Sequence, residues 1–224
     1  DPAGWNMKGS IAHARGDANG ALAGYAKALS LNPDYQDVLI ARASLLIDLG
    51  RDAEAAKDVA ILNQKFKADP RSAYLKALLA GRQGKDAEVR DALVAATSAL
   101  DALPIEAVIA KPQLALLGGV SHYSLGQYQK AKTYLGYFLK KSPQHMGARK
   151  IYTGILMAEK DYANAIAFLV AAIGVQQARI SDAEKALAES TLQAETLRAD
   201  REQAAREHRD KLDDVRSTHS ASVK

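Results

Sequence analysis

The tripeptide Leu49-Gly50-Arg51 indicates the architecture of the chain, because a turn of the same kind returns at a nearly fixed interval. Arg15-Gly16-Asp17 precedes it, and Gln83-Gly84-Lys85 follows it, at the same distance along the sequence. Leu125-Gly126-Gln127 comes eight positions later than this interval requires, and Lys160-Asp161-Tyr162 then returns to it. The interval, about 34 residues, is typical of stacked helix–turn–helix units.

The positions around these turns also align. Seven residues before each turn position stand the small residues Gly9, Ala43, Ala77, Gly119 and Thr153. Nine residues after it stand the larger residues Tyr25, Val59, Leu93, Leu135 and Leu169. Small residues let two helices approach closely, while large ones fill the space between neighbouring units. With the period-3.6 apolar pattern, this predicts helices at 3–14, 18–31, 36–48, 52–66, 71–82, 86–102, 113–125, 128–141, 145–158 and 162–173.

These columns resemble the tetratricopeptide repeat. The first repeat carries the pattern most completely, with Trp5, Gly9, Ala21, Tyr25, Ala28 and Pro33. The resemblance covers roughly residues 2–173 and implies an all-α fold, a right-handed superhelix (α-solenoid) of about five repeats at 2–34, 35–69, 70–104, 112–144 and 145–174. Eight extra residues fall around 101–111, where we expect a longer second helix and a short turn before the fourth repeat.

The character of the chain changes after Gly174, because residues 175–224 contain neither Gly nor Pro and are highly charged. Ser181-Asp-Ala-Glu184 has the form of a capping box. We expect a long charged helix within 175–216, continuous from 181, and a disordered tail at 217–224. Its apolar stripe, in which Leu187 and Leu197 are the largest residues, is typical of at most a weak coiled coil. A monomer is therefore predicted, with a weak dimer possible through 181–216.

The composition is that of an ordinary folded protein, with 48% hydrophobic and 25% charged residues among 224 and a net charge of +4. The chain has no cysteine, which excludes disulfides and thiolate metal sites. The apolar run at 165–175 is far shorter than the ~20 residues that cross a bilayer, so no transmembrane segment is expected. Because the chain starts Asp1-Pro2, we expect a mature product or an excised fragment.

The sequence contains few of the patterns that are typical of enzyme active sites. None of its five histidines has another His or a carboxylate beside it at metal-ligand spacing, and no nucleophile elbow, phosphate-binding loop or dinucleotide fingerprint occurs. The segment 81–85, Gly-Arg-Gln-Gly-Lys, follows a helix and is explained by the repeat turn. We therefore expect no enzymatic activity, no catalytic residue, no cofactor and no metal.

We expect the protein to function by binding a partner. In tetratricopeptide arrays the first helix of each repeat lines a concave groove, and the resemblance places thirteen residues there, here called the groove set: Asp37, Ile40, Ser44, Ile47, Arg71, Tyr74, Leu78, Gln113, Leu116, Val120, Tyr123, Lys150 and Met157. This mixture of apolar, aromatic and charged groups suits an extended or helical peptide. The alternative is that Leu78, Leu116 and Val120 only pack between helices.

Positive charge is concentrated in the fourth repeat, since no acidic residue occurs between Glu106 and Glu159. The basic patch consists of Lys130, Lys132, Lys140, Lys141, Arg149 and Lys150. Such a patch could attract an anionic polysaccharide. The alternative is a solvated surface that only keeps the protein soluble.

A narrower resemblance concerns the tetratricopeptide lipoprotein that accompanies bacterial exopolysaccharide and PEP-CTERM/exosortase clusters. The segments 69–80, 134–143, 147–151 and 161–169 carry it. It implies a noncatalytic protein-interaction scaffold in exopolysaccharide assembly or export, periplasmic or membrane-anchored rather than cytoplasmic. The expected partner is a protein or peptide, with anionic polysaccharide as the alternative and no nucleic acid.

Overall fold

The computed structural model describes residues 1–222, and side chains as far as residue 205. It divides into two compact units, Asp1–Tyr162 and Ala163–Lys224. Its helices, in chain order, are α1 (Pro2–Ala14), α2 (Ala18–Leu31), α3 (Gln36–Asp48), α4 (Asp52–Lys65), α5 (Pro70–Arg82), α6 (Asp86–Asp101), α7 (Ile105–Ala110), α8 (Pro112–Ser124), α9 (Tyr128–Lys141), α10 (Met146–Ala158) and α11 (Tyr162–Ser222). The described residues contain no strand, and the all-α solenoid is confirmed.

The repeating turns have one backbone geometry. Gly16, Gly50, Gly84 and Gly126 have φ values of 77°, 73°, 70° and 73°, and Lys160 has a φ of 60° at the fifth turn. A left-handed residue lets the chain reverse directly after a helix, and glycine adopts it without the clash that a Cβ introduces. The regular spacing of the turns therefore marks the left-handed residue between the helices of each predicted pair.

Close approach within the pairs explains the column of small residues. A Cβ added to Gly9 would lie 2.7 Å from Tyr25 Cδ1, and one added to Gly119 would lie 2.5 Å from Leu135 Cγ. The small residue of the first helix thus receives the large residue of the second. Tyr25 is 1% exposed and Leu135 is fully buried, so the core of the first unit runs through these contacts.

The insertion lies between α6 and α8. Helix α6 has 16 residues where α2, α4 and α9 have 14, and the six-residue helix α7 follows it. Val108 is fully buried, which ties α7 to the array. The prediction of a longer second helix is confirmed, and the connecting segment contains a short helix rather than a simple turn.

The second unit consists of α11 from Ala163 onward. A helix ending at 173 and a new one from 181 were expected, but one continuous helix runs through both segments because no residue after Gly174 interrupts it. The helix also continues from 217 to Ser222, where a disordered tail was expected; residues 223 and 224 lie outside the described residues.

One helix in the described part of the chain is long and apolar enough to cross a membrane. Within Tyr162–Ala205 an 18-residue window has a mean hydropathy of 1.3, and 6% of that window is buried. Length and composition alone support this assignment. The expectation of no transmembrane segment therefore stays a prediction.

Candidate partner-binding groove

The first helices of the second to fifth predicted repeats form one layer. Helix α3 contacts α5, α5 contacts α8, and α8 contacts α10. Twelve members of the groove set are at least partly accessible to solvent on this layer. The exception is Ile47, which is 6% exposed and belongs to the hydrophobic core around Leu46 and Leu79. The structure thus brings the groove set together without showing an occupant.

Charged residues of the groove set are paired at the start of the layer. Arg71 donates from Nη1 to Asp37 Oδ1 over 2.9 Å and from Nη2 to Asp69 Oδ2 over 2.7 Å. Asp69 also caps α5 by accepting from the backbone N–H of Arg71 over 2.8 Å. The hydrogen bond to Asp69 raises the pKa of Arg71 above its ordinary value, although burial opposes the charge. Arg71 therefore ties α3 to α5 and is not a free cation.

Apolar and aromatic groups occupy the middle of the layer. Leu78 and Tyr123 are 37% and 38% exposed, while Leu116 and Val120 are half-buried. The Tyr123 ring lies 5.8 Å from the ring of Tyr128 at the start of α9. Large apolar side chains held partly open on fixed helices are suitable anchors for a peptide.

Tyr74 stands among these groups with a half-buried side chain. Burial raises the pKa of its phenol above the ordinary value. Tyr74 packs against the small cluster of Ala77, Ala92 and Leu93. Part of its surface therefore supports α6, and only the remainder is available to a partner.

A cleft of about 350 Å³ opens beside Arg71, where α5 and α8 begin. Its lining consists of Ala68, Asp69, Pro70, Arg71, Leu103, Lys111, Gln113 and Leu114. Sequence reasoning included Arg71 and Gln113 but missed Leu103 and Lys111, because these belong to the insertion and have no column in the repeat pattern. The extra residues after α6 thus form one wall of the cleft.

The basic patch is less free than its composition suggests. Lys130 contacts Asp101 Oδ2 over 2.5 Å, and Lys132 contacts Glu159 Oε2 over 2.6 Å. Arg149 is 9% exposed and donates to the backbone carbonyl of Pro143 over 3.0 Å. Lys140, Lys141 and Lys150 are exposed, and so is Lys130 despite its contact with Asp101.

Asp101, at the end of α6, joins three side chains from α8 and α9. Its Oδ1 lies 3.2 Å from Nε2 of His122 and accepts from the hydroxyl of Tyr134 over 2.9 Å, while Lys130 contacts Oδ2. Burial opposes the charge of Asp101, but the hydrogen bonds from Lys130 and Tyr134 outweigh it and lower the pKa of the carboxyl. Burial and the Asp101 hydrogen bond raise the pKa of Tyr134. This cluster was not predicted; it joins the insertion to the fourth repeat.

Among the described residues, no group of three or more His, Asp or Glu side chains is arranged to hold a metal ion. Charged side chains such as Arg71 and Asp101 are instead paired with side chains of neighbouring helices.

Comparison with known proteins gives a family for part of the chain and a fold for most of it. The tetratricopeptide repeat profile matches residues 2–35. No curated protein is significantly similar to the chain in sequence.

Solved structures extend this likeness. A tetratricopeptide repeat protein of Thermus thermophilus matches with a TM-score of 0.56 and 17% identity, over 77% of this chain and 90% of that one. PilF of Pseudomonas aeruginosa matches with a TM-score of 0.56 and 15% identity, over 77% and 75%. PilW, a type IV pilus biogenesis factor, matches with a TM-score of 0.54 and 19% identity, over 76% of each. The profile match therefore identifies a tetratricopeptide repeat at residues 2–35, and the solved structures show the same fold over about three quarters of the chain.

Proposed function

We propose that this protein is a noncatalytic scaffold that binds a peptide segment of a protein partner through the groove set. The observation that carries the proposal is the run of partly exposed apolar side chains at Leu78, Leu116, Val120 and Tyr123, fixed on adjacent helices. Burying such anchors against apolar or aromatic residues of a peptide provides affinity because their surface leaves water. The ion pairs at Arg71 keep the helices in register around them.

A peptide-display selection tests the groove directly. The full chain is used to select peptides from a random library, and each selected peptide is then measured against Leu78→Ala and Tyr123→Ala. Both substitutions should weaken binding at least about 10-fold, because each removes an anchor. Val94→Ala on α6 is the matched control, since Val94 is 47% exposed and outside the groove set.

Two outcomes would contradict the proposal. One is a selection that yields no peptide dependent on Leu78 or Tyr123. The other is equal weakening by the Val94 control. Salt adds a second criterion, because binding through apolar anchors should change little between low and high ionic strength.

We further propose that the partner belongs to bacterial exopolysaccharide assembly or export, which would place the scaffold in the periplasm or on a membrane of the envelope. The resemblance of segments 69–80 and 134–143 to the exosortase-associated lipoprotein supports this assignment. The test is polymer export in the source bacterium after deletion of the gene. Complementation with the wild-type chain should restore export, and complementation with Tyr123→Ala should not.

Direct binding of an anionic polysaccharide is the alternative function. Lys140, Lys141 and Lys150 are exposed and support it, whereas Lys130 and Lys132 already contact carboxylates and Arg149 is buried. Polysaccharide binding would fall steeply with salt and with removal of Lys140 and Lys141. Because Lys130 and Lys132 are paired with carboxylates and Arg149 is buried, we favour the peptide partner.

A further inference from the structure

The long helix α11 exposes two columns of residues at seven-residue intervals. The first column consists of Ile166, Ile173, Ile180, Leu187 and Ala194, and the second, three residues later, consists of Leu169, Gln176, Ala183, Ser190 and Leu197. We call these ten residues the seam. Its six large apolar side chains, at 166, 169, 173, 180, 187 and 197, are 46–67% exposed.

The uninterrupted helix creates this seam. Two separate helices, at 162–173 and from 181, would have divided it, but α11 keeps its residues in one rotational frame. A straight α-helix drifts by about 20° per heptad from a seven-residue repeat, so the repeat favours two helices wound around each other. Among parallel coiled coils, Ile in the first column, as at Ile166, Ile173 and Ile180, with Leu in the second, as at Leu169 and Leu197, favours two strands over three or four.

We propose that α11 forms a parallel, in-register, two-stranded coiled coil with a second copy of this chain through the seam. The polar residues of the seam indicate that the partner is a second copy of this chain. In such a pair Gln176 meets Gln176 and Ser190 meets Ser190, so each buried polar group has a hydrogen-bonding group opposite it. A shifted or antiparallel pair would place them against apolar side chains and leave buried polar groups unsatisfied.

Charge supports the same arrangement. Arg179 lies directly before Ile180, and Glu184 lies directly after Ala183. In a parallel pair these two flanking positions face each other across the interface, so Arg179 of one copy lies beside Glu184 of the other, twice by symmetry. Arg201 continues the first column after Ala194 and would face its own copy, so the seam ends near Leu197.

The size of the seam sets the expected strength. At 1.5 Å per residue, residues 166–197 extend over about 46 Å, and a stripe about 10 Å wide covers on the order of 500 Å² on each copy. The total of about 1,000 Å² is at the lower end for specific interfaces. The dimer should therefore dissociate at micromolar concentrations rather than be permanent.

A lipid bilayer is the competing occupant of the apolar part of α11. A spanning helix needs about 20 mostly apolar residues around its whole circumference. Here Gln176, Gln177 and Arg179 follow directly after the apolar run, and the seven-residue columns continue beyond it to Leu197. A bilayer would therefore cover only the exposed apolar residues in the first turns of α11, whereas a second copy of the chain would cover the whole seam.

Sedimentation of the full chain between about 1 and 200 µM tests the proposal. The wild-type chain should shift from monomer to dimer across this range, and Ile180→Glu and Leu187→Glu should raise the dissociation constant at least about 100-fold. Leu192→Glu is the matched control: Leu192 is 63% exposed on the same helix but lies outside the seam, so its dimer should persist. A wild-type chain that stays monomeric, or a control as damaging as Ile180→Glu, would overturn the proposal.

Orientation and membrane binding need separate measurements. The chain has no cysteine, so Ser190→Cys introduces a single thiol. In a parallel, in-register pair the two thiols meet and should form an intermolecular disulfide within the oxidation time; an absence of cross-linking would exclude this register. Flotation with phosphatidylcholine–phosphatidylglycerol vesicles should leave the wild-type chain unbound, and flotation that Ile180→Glu abolishes would assign the surface to a bilayer instead.

Discussion

Replacing Asp101 by Ala should loosen the contact between the insertion and the fourth repeat. The substitution leaves Nε2 of His122, whose side chain is fully buried, and the hydroxyl of Tyr134 without their Asp101 partner. Hydrogen bonds to a charged group contribute about 1.5–3 kcal/mol each, and the Lys130 pair adds little because the Lys130 side chain is 58% exposed. Because the losses share one carboxylate, we expect a total of about 2–4 kcal/mol.

Hydrogen exchange measured by mass spectrometry suits this prediction, since it reports local opening of α8 and α9 separately from α11. Amides of α8 and α9 should exchange about 30- to 800-fold faster in Asp101→Ala than in the wild type. Asp91→Ala is the control on the same helix, where Asp91 is exposed, and it should change exchange by less than about threefold. Equal protection of the α8 and α9 amides in Asp101→Ala and Asp91→Ala would refute the role assigned to the Asp101 cluster.

The stabilising contribution of Asp101, which the Asp101→Ala variant removes, should also depend on pH. The pKa of Asp101 is lower in the folded chain than its ordinary value of 3.8, so folding favours the charged form. Its contribution should be complete above the ordinary pKa and disappear as the pH falls below 3.8 through the folded value. The difference between wild type and Asp101→Ala, corrected for intrinsic exchange, should therefore be larger at pH 6 than at pH 3; a constant difference would contradict the charged interaction.

Further predictions concern a buried ion pair and the turns. Arg42 donates to both oxygens of Asp58, which is 1% exposed, so Arg42→Met should cost about 3–5 kcal/mol in denaturant unfolding. The double variant with Asp58→Leu should recover most of that loss; no recovery would show that packing dominates. Gly84 has a φ of 70° and nothing within 4 Å of an added Cβ, so Gly84→Ala should cost about 1 kcal/mol by backbone strain alone. Calorimetry should show a smaller loss for Gly84→Asn, because Asn tolerates this conformation, and equal losses would count against strain. Lys160→Gly should stabilise by about 0.5–1 kcal/mol for the same reason, and a lower melting temperature would contradict it.

The repeat pattern was sufficient to predict the helices of the array. The ten predicted helices begin within one residue of the observed ones, and the first nine end within one residue as well. Local signals explain this agreement: a left-handed glycine ends the first helix of a pair, and Asp17 and Asp69 cap the helices that follow them. Such signals act over a few residues and are therefore visible in the sequence.

The sequence predicted which aligned positions of the repeats face the groove, but not whether each residue at such a position is exposed. The pattern placed Ile47 and Tyr123 in equivalent positions, yet Ile47 is core and Tyr123 is exposed. Exposure depends on the side chains that a neighbouring helix brings close, which no single repeat encodes. The pairing of Arg71 with Asp37, on the preceding repeat, likewise became evident only once adjacent helices were in place.

The solenoid was predictable from the sequence, because its turns and small–large columns recur at a period typical of stacked helix pairs. Tertiary structure decided which charges are available, since the basic patch lost Lys130 and Lys132 to carboxylates and Arg149 to burial. The continuity of α11 is local instead, since no residue after Gly174 interrupts the helix, and it joins Ile166 and Ile173 to the column at Ile180 and Leu187. The physical reason is the range of the forces involved: helix turns and caps are set by near neighbours in sequence, whereas ion pairs and burial are set by residues that meet only after folding.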